Sequence, residues 1–215
     1  MRVFLLAVMF LFYGGMVLAY EQPKYDIVKR YNDFELRHYA PYIVAETVVR
    51  GNFDEVGNEA FRILFRYISV DNLKKIEIPM TAPVNQSQVI KSGEKIEMTA
   101  PVVQAPQDNN QDSYVFSFVM PSKYTMETLP VPKDPRIRLR QVKARLLAAR
   151  TYSGTWSEKR YKQNEAALLL AVKAAVLTAV GKPIFARYNS PFTLWFLRRN
   201  EVLVEVKEEG DAHKN

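Results

Sequence analysis

Lys75-Ile76-Glu77-Ile78-Pro79-Met80-Thr81-Ala82-Pro83-Val84 is followed closely by Lys95-Ile96-Glu97-Met98-Thr99-Ala100-Pro101-Val102. The two stretches are near-copies; the first carries an Ile-Pro insert. Repetition at this distance predicts two equivalent strands and a fold with internal symmetry. The polar stretch Asn85 to Glu94, with Ser92-Gly93 as its turn, then links the strands as a hairpin with a long connection. Pro83 and Pro101 each lack a ladder donor, so the strands end or bulge there.

Upstream of the repeat, three β-like segments open the chain: Tyr25 to Arg30, then Phe34 to Tyr39, then Tyr42 to Val49. In the second, Phe34, Leu36 and His38 alternate with charged or aromatic neighbours, as in a half-buried strand. The period changes after Gly51-Asn52. Phe53, Val56, Ala60, Phe61, Leu64, Phe65 and Ile68 recur at three- and four-residue steps, which predicts an amphipathic helix over Phe53 to Ile68. Downstream, Tyr114 to Met120, Ile137 to Arg140 and Arg145 to Tyr152 read as strands. Trp156 to Val180 reads as a long helix stopped by Gly181 and Pro183. Pro183 to Tyr188 and Leu194 to Val206 supply the last strands. Strands, helix, strands, and again strands, helix, strands make an α+β fold with pseudo-twofold internal duplication rather than a parallel sheet.

The totals fit one globular unit of 215 residues, 48% of them hydrophobic. Arg2 followed by the apolar run to Ala19 reads as a signal peptide over residues 1–19, with an uncleaved anchor as the alternative. The expected organisation is therefore a leader, one domain over residues 20–207 and a disordered tail over 208–215, in an exported protein, periplasmic or secreted. If the leader is cleaved, no stable membrane span remains. Cysteine is absent, which excludes a thiolate nucleophile, a thiolate zinc site and an iron–sulfur cluster. The net charge of +7 favours anionic ligands; nucleic acid is not an expected partner of an exported chain.

The doubled Met-Thr-Ala-Pro-Val phrase resembles the SOUL haem-binding family. So do Phe118-Val119-Met120-Pro121-Ser122-Lys123-Tyr124, the helix segment Phe61 to Tyr67, Tyr188-Asn189-Ser190-Pro191-Phe192 and Arg198-Arg199-Asn200-Glu201-Val202. The resemblance runs from about Tyr25 to Val206 in one order. It implies a distorted β-barrel, or two curved antiparallel sheets, flanked by two long helices, and an architecture similar to bacterial effector-binding domains. It also implies haem or a related tetrapyrrole as cofactor, bound without catalysis.

Haem needs apolar walls, cations near its two carboxylates and, optionally, an axial donor. The resemblance places the pocket along the first helix and the loop before Arg198. Phe61, Leu64 and Phe65 are the candidate wall, and Arg66 the carboxylate partner. Phe192 and Trp195 are candidate wall residues from the loop, although Thr193 and Leu194 stand where some relatives have a basic residue. His38 is the candidate iron ligand, since His213, the other histidine, falls in the polar tail. Each residue also has a plainer role: a helix stripe packs a core, and an arginine is often only solvated. Three rival functions stay open: an enzyme, a binder of another amphipathic molecule such as a lipid or effector, and a module for a protein partner. Paired carboxylates such as Glu77 and Glu97 exist, but as equivalent positions in repeated strands they read as sheet surface.

Overall fold

The computed structural model describes residues 20–88, 113–190 and 192–208. Residues 1–19, where a signal peptide is expected, the second repeat copy with Met98 and Glu97, Pro191 and His213 lie outside them. In chain order the elements are β1 (Tyr25–Arg30), β2 (Glu35–Tyr39), β3 (Tyr42–Arg50), α1 (Val56–Ser69), β4 (Val84–Gln88), β5 (Ser113–Val119), β6 (Arg138–Val142), β7 (Arg145–Tyr152), α2 (Glu158–Ala174), β8 (Leu177–Arg187) and β9 (Asn200–Glu208). The α+β class stands.

The barrel does not. The described strands form one antiparallel sheet in the order β1-β2-β7-β9-β8-β4-β5-β3-β6, with β1 and β6 as open edges. Its two ends are nevertheless tied covalently. β2 runs into β3 through Ala40-Pro41, and β6 runs into β7 through Lys143-Ala144. The pairings β2–β7 and β3–β6 keep a single register: Tyr39 faces Arg145, and three residues on, Tyr42 faces Val142. These four strands are thus one long two-stranded ribbon, bent at its middle, whose halves serve opposite ends of the sheet. Closure would need hydrogen bonds between β1 and β6, and none joins them.

From the β8–β4 junction the strand order runs β8, β9, β7, β2, β1 on one side and β4, β5, β3, β6 on the other, five strands against four, and the expected internal duplication is not shown. The first repeat copy does not form the expected strand, and the second lies outside the described residues. Only Val84 of the first copy lies in a strand, because Pro79 and Pro83 interrupt its ladder and the chain from Lys75 runs as a loop. The polar link Asn85 to Gln88, expected to be loop, instead continues β4, paired with β5 and β8.

The second helix is also shorter than its apolar run predicts. It stops at Ala174, where Val176 takes a left-handed conformation at φ 58, and the apolar residues from Leu177 onward become β8. Gly181 and Pro183 sit inside that strand, at an irregularity in its pairing with β9 between Val180 and Ile184.

Both helices pack on the same sheet face, α1 chiefly on β3 and β5, and α2 on β7, β8 and β9. Between helices and sheet lies the main core, where Phe53 stacks on Tyr161 and Phe185, and Leu64, Tyr67, Phe116 and Leu168 are wholly or almost wholly buried. The turn before α1 steadies α2: the Glu158 N–H donates to Asp54 Oδ1 at 2.9 Å. The opposite face carries a smaller cluster of Tyr39, Leu147, Ala149, Ala186 and Leu203.

Candidate functional site

The C-terminal end of α1 and two loops form an open hollow of about 520 Å³. Tyr67, buried at that end, donates its hydroxyl to the Pro130 carbonyl at 2.8 Å. Asn72, also buried, donates to the carbonyls of Tyr67 and Ile76 and so fixes the chain leaving the helix. The Leu73 N–H reaches the Val131 carbonyl at 3.0 Å, stitching this loop to the segment around Lys133. The result is an apolar floor of Phe65 and Val70 between the cations Arg66, Lys75 and Lys133.

Both apolar side chains are unusually open for their type: Phe65 is 45% and Val70 59% exposed. Lys75 adopts a left-handed backbone at φ 53, uncommon outside glycine. The one carboxylate of the hollow, Asp71, holds Arg66 at 3.2 Å and Lys133 at 3.8 Å; Lys75 has no ion-pair partner among the described residues. The surroundings therefore suit a flat apolar body with acidic edges.

Of the residues the sequence singled out, Phe65 and Arg66 line this hollow. Phe61 stacks on Phe65 with ring centroids 5.5 Å apart and meets Phe118 edge-on at 5.5 Å, so it supports the floor from behind. Leu64 is fully buried and belongs to the core. Phe192 is 94% exposed and Trp195 55%; neither they nor any described neighbour in that loop lines the hollow. Trp195, Phe196 and Leu197 form a short 3-10 turn. His38 keeps the strand parity of Leu36 but is exposed, opposite Asp26 of β1 and Leu146 of β7, away from α1. Among the described residues the hollow thus offers apolar walls and cations but no histidine. Among the described residues, no group of His, Cys, Asp and Glu could hold a metal ion.

Lys75 and Lys133 escaped the sequence reading. Lys75 was visible only as the first letter of the repeat, and Lys133 as part of a proline-rich connector.

On the other sheet face, a buried polar cluster centres on Glu201. Its carboxylate accepts from Arg37 at 3.0 Å, Arg199 at 2.7 Å, the Tyr188 hydroxyl at 2.7 Å and the Thr151 hydroxyl at 3.0 Å. Burial pushes the Glu201 carboxyl up, but Arg37, Tyr188 and Arg199 outweigh it and hold it below its ordinary value. Burial likewise lifts the Tyr39 hydroxyl to about 12. Both carboxylate oxygens of Glu201 are engaged, so the cluster reads as a clasp joining β2, β7 and β9 to Tyr188, the residue after β8.

The family model for SOUL heme-binding protein matches residues 20–93 and 87–205. No curated protein matches the chain. Among solved structures, the EcmrR C-terminal domain is similar at 12% identity and TM-score 0.58, covering 86% of this chain and 98% of that one. A hydrolase from Listeria innocua is similar at 12% identity and TM-score 0.54, covering 84% and 94%. An uncharacterized conserved protein from Listeria innocua is similar at 10% identity and TM-score 0.56, covering 88% and 94%. At such identities the likeness is one of fold. No helix among the described residues is long and apolar enough to cross a membrane.

Proposed function

The chain belongs to the SOUL heme-binding protein family, and from that premise we propose that it binds haem or a related tetrapyrrole reversibly, without catalysis, in the hollow at the end of α1. The observation that carries this reading is the exposed apolar floor of Phe65 and Val70, set among Arg66, Lys75 and Lys133. Exposed apolar surface bounded by cations is costly to leave bare and suits a planar dicarboxylate. Phe65 would support the macrocycle, and Lys75 and Lys133 would neutralise its propionates, with Arg66 shared between the ligand and Asp71.

His38 stands outside the hollow, so affinity there rests on shape and charge, not on a bond to iron. The same feature favours a second reading, in which another flat amphipathic acid is the natural ligand. A titration with haemin tests the first. One equivalent sharpens and shifts the Soret band, His38→Ala leaves affinity and spectrum unchanged, and Lys75→Glu with Lys133→Glu weakens binding by about tenfold. Non-saturable uptake of haemin by the unaltered chain defeats the proposal.

A further inference from the structure

The loop between β8 and β9 carries large apolar side chains that nothing in the fold covers. Phe192 is almost wholly exposed, and Leu194, Trp195, Phe196 and Leu197 are each more than half exposed. Single apolar residues of this kind are ordinary surface, whereas a contiguous run marks a contact site. From Phe192 to Leu197 the run holds no charge, and Thr193 is its one polar side chain.

The exposure is built in. The Thr193 N–H donates to the Ser190 carbonyl at 3.0 Å and the Leu197 N–H to the Leu194 carbonyl at 2.9 Å. Arg198 Nε donates to the Thr193 carbonyl at 2.8 Å. At the base of the loop the Arg199 N–H reaches Asn189 Oδ1 at 2.6 Å, and the Tyr188 N–H the Arg199 carbonyl at 3.2 Å. These backbone groups are thus satisfied within the loop, which holds its shape without burying its side chains.

The shape selects the occupant. Trp195, Phe196 and Leu197 form a 3-10 turn, in which successive side chains diverge by about 120°. A groove on a protein partner meets one side of such a turn; a fluid apolar medium meets all of it. The cations at the base are already engaged. Arg199 pairs with Glu201 at 2.7 Å and lies over the Tyr188 ring, and Arg198 lies over the Trp156 ring. The attraction is therefore to hydrocarbon and not to headgroup charge. The path of the chain points the same way. Gln22 Oε1 accepts from Arg199 at 3.4 Å, so the described chain begins beside the base of this loop. Directly before it in sequence comes the largely apolar run Val3 to Leu18, then the exposed Tyr20. A bilayer that receives the loop lies next to the point where that run joins the domain.

We propose that Phe192, Leu194, Trp195, Phe196 and Leu197 insert together into the interfacial layer of a lipid bilayer, so that the domain docks on a membrane through the β8–β9 loop. The inference does not depend on haem binding, since no residue of this run lines the hollow on α1.

Cysteine is absent, so one introduced thiol carries one probe. The full chain is labelled with the polarity-sensitive dye NBD at Phe192→Cys, and a control at Leu170→Cys, an exposed position on α2. Each is mixed with phosphatidylcholine vesicles. The probe at 192 brightens, shifts to the blue and is quenched by doxyl-labelled lipid, and raised salt does not reverse this. The probe at 170 stays as in water. Trp195→Ser with Leu197→Ser cuts the response at 192 by about threefold or more and leaves haemin affinity unchanged. A probe at 192 that stays in water on vesicles overturns the proposal. So does an equal response at 170, which assigns the adsorption to another part of the chain. A blue shift that appears without lipid and grows with protein concentration also overturns it, making the loop a contact between copies.

Discussion

Arg37 and Glu201 lie 164 residues apart in sequence, yet each is almost completely enclosed beside the other. Removing one partner of such a pair strands a buried charge, which costs about 3–5 kcal/mol. Arg37→Met is therefore expected to lower unfolding free energy by that amount in urea melts, and a loss below about 1 kcal/mol would show the clasp to be idle. The acid limb follows from the same geometry. Glu201 is held below its ordinary value of 4.5 when folded. Its contribution is complete above that value and drains away as pH falls through the lower, folded one. Glu201→Gln should flatten the acid-side decline in stability. Nothing in the sequence disclosed this pair: strand parity assigns a face to Arg37, but no pattern says which distant strand lies alongside. His38 shows the limit from the other side. Its parity with Leu36 was legible. Its exposure was not, because β2 lies toward the sheet edge and the helices pack chiefly on other strands.

At the scale of elements, α1 divides two adjacent residues between two tasks. Leu64 faces the sheet with no exposure, whereas Phe65 is turned toward the hollow. Leu64→Ala is expected to cost about 2–5 kcal/mol of stability with haemin affinity retained in the folded fraction. Phe65→Ala should cost little stability but weaken haemin severalfold. Equal effects of both changes on affinity would place the ligand elsewhere. The end of α2 offers a cleaner case. Val176 occupies the left-handed position that commonly closes a helix and is usually given to glycine. Its side chain is exposed, so Val176→Gly removes strain with little lost packing. Thermal or urea melts should show a gain of about 1 kcal/mol; a loss would contradict this account of the helix stop. The missing glycine also explains the misread boundary. The apolar run from Ala166 to Val180 passes through the stop without a sequence mark, and only the backbone turn at Val176 divides helix from strand. Where punctuation is present the reading holds, as in β7, whose bounds Arg145 and Tyr152 match.

For the whole molecule, element order was legible and closure was not. Alternation fixes which segments are strands, whereas a barrel and an open sheet differ only in whether β1 and β6 bond to each other. The ribbon of β2–β3 with β6–β7 brings the two sheet ends to one corner without joining them, and a cavity lined by Glu21 to Lys24 and by Ala40 to Ile43 lies at that corner. The hollow on α1 lies apart from it, sharing no lining residue. This separation was invisible in the sequence, where helix and loop candidates were gathered into one pocket. The loop from Phe192 to Leu197 instead stands exposed, beyond the residues of the hollow.

The central claim is that a tetrapyrrole rests on Phe65 between Lys75 and Lys133. Amide chemical-shift mapping with diamagnetic zinc protoporphyrin addresses it residue by residue. The account predicts saturable shifts concentrated at Phe65, Arg66, Val70, Lys75 and Lys133, with His38 and the Phe192 loop unmoved. Shifts centred on Tyr42, Met120 and Tyr124, or around Trp195, with the end of α1 silent, would contradict it.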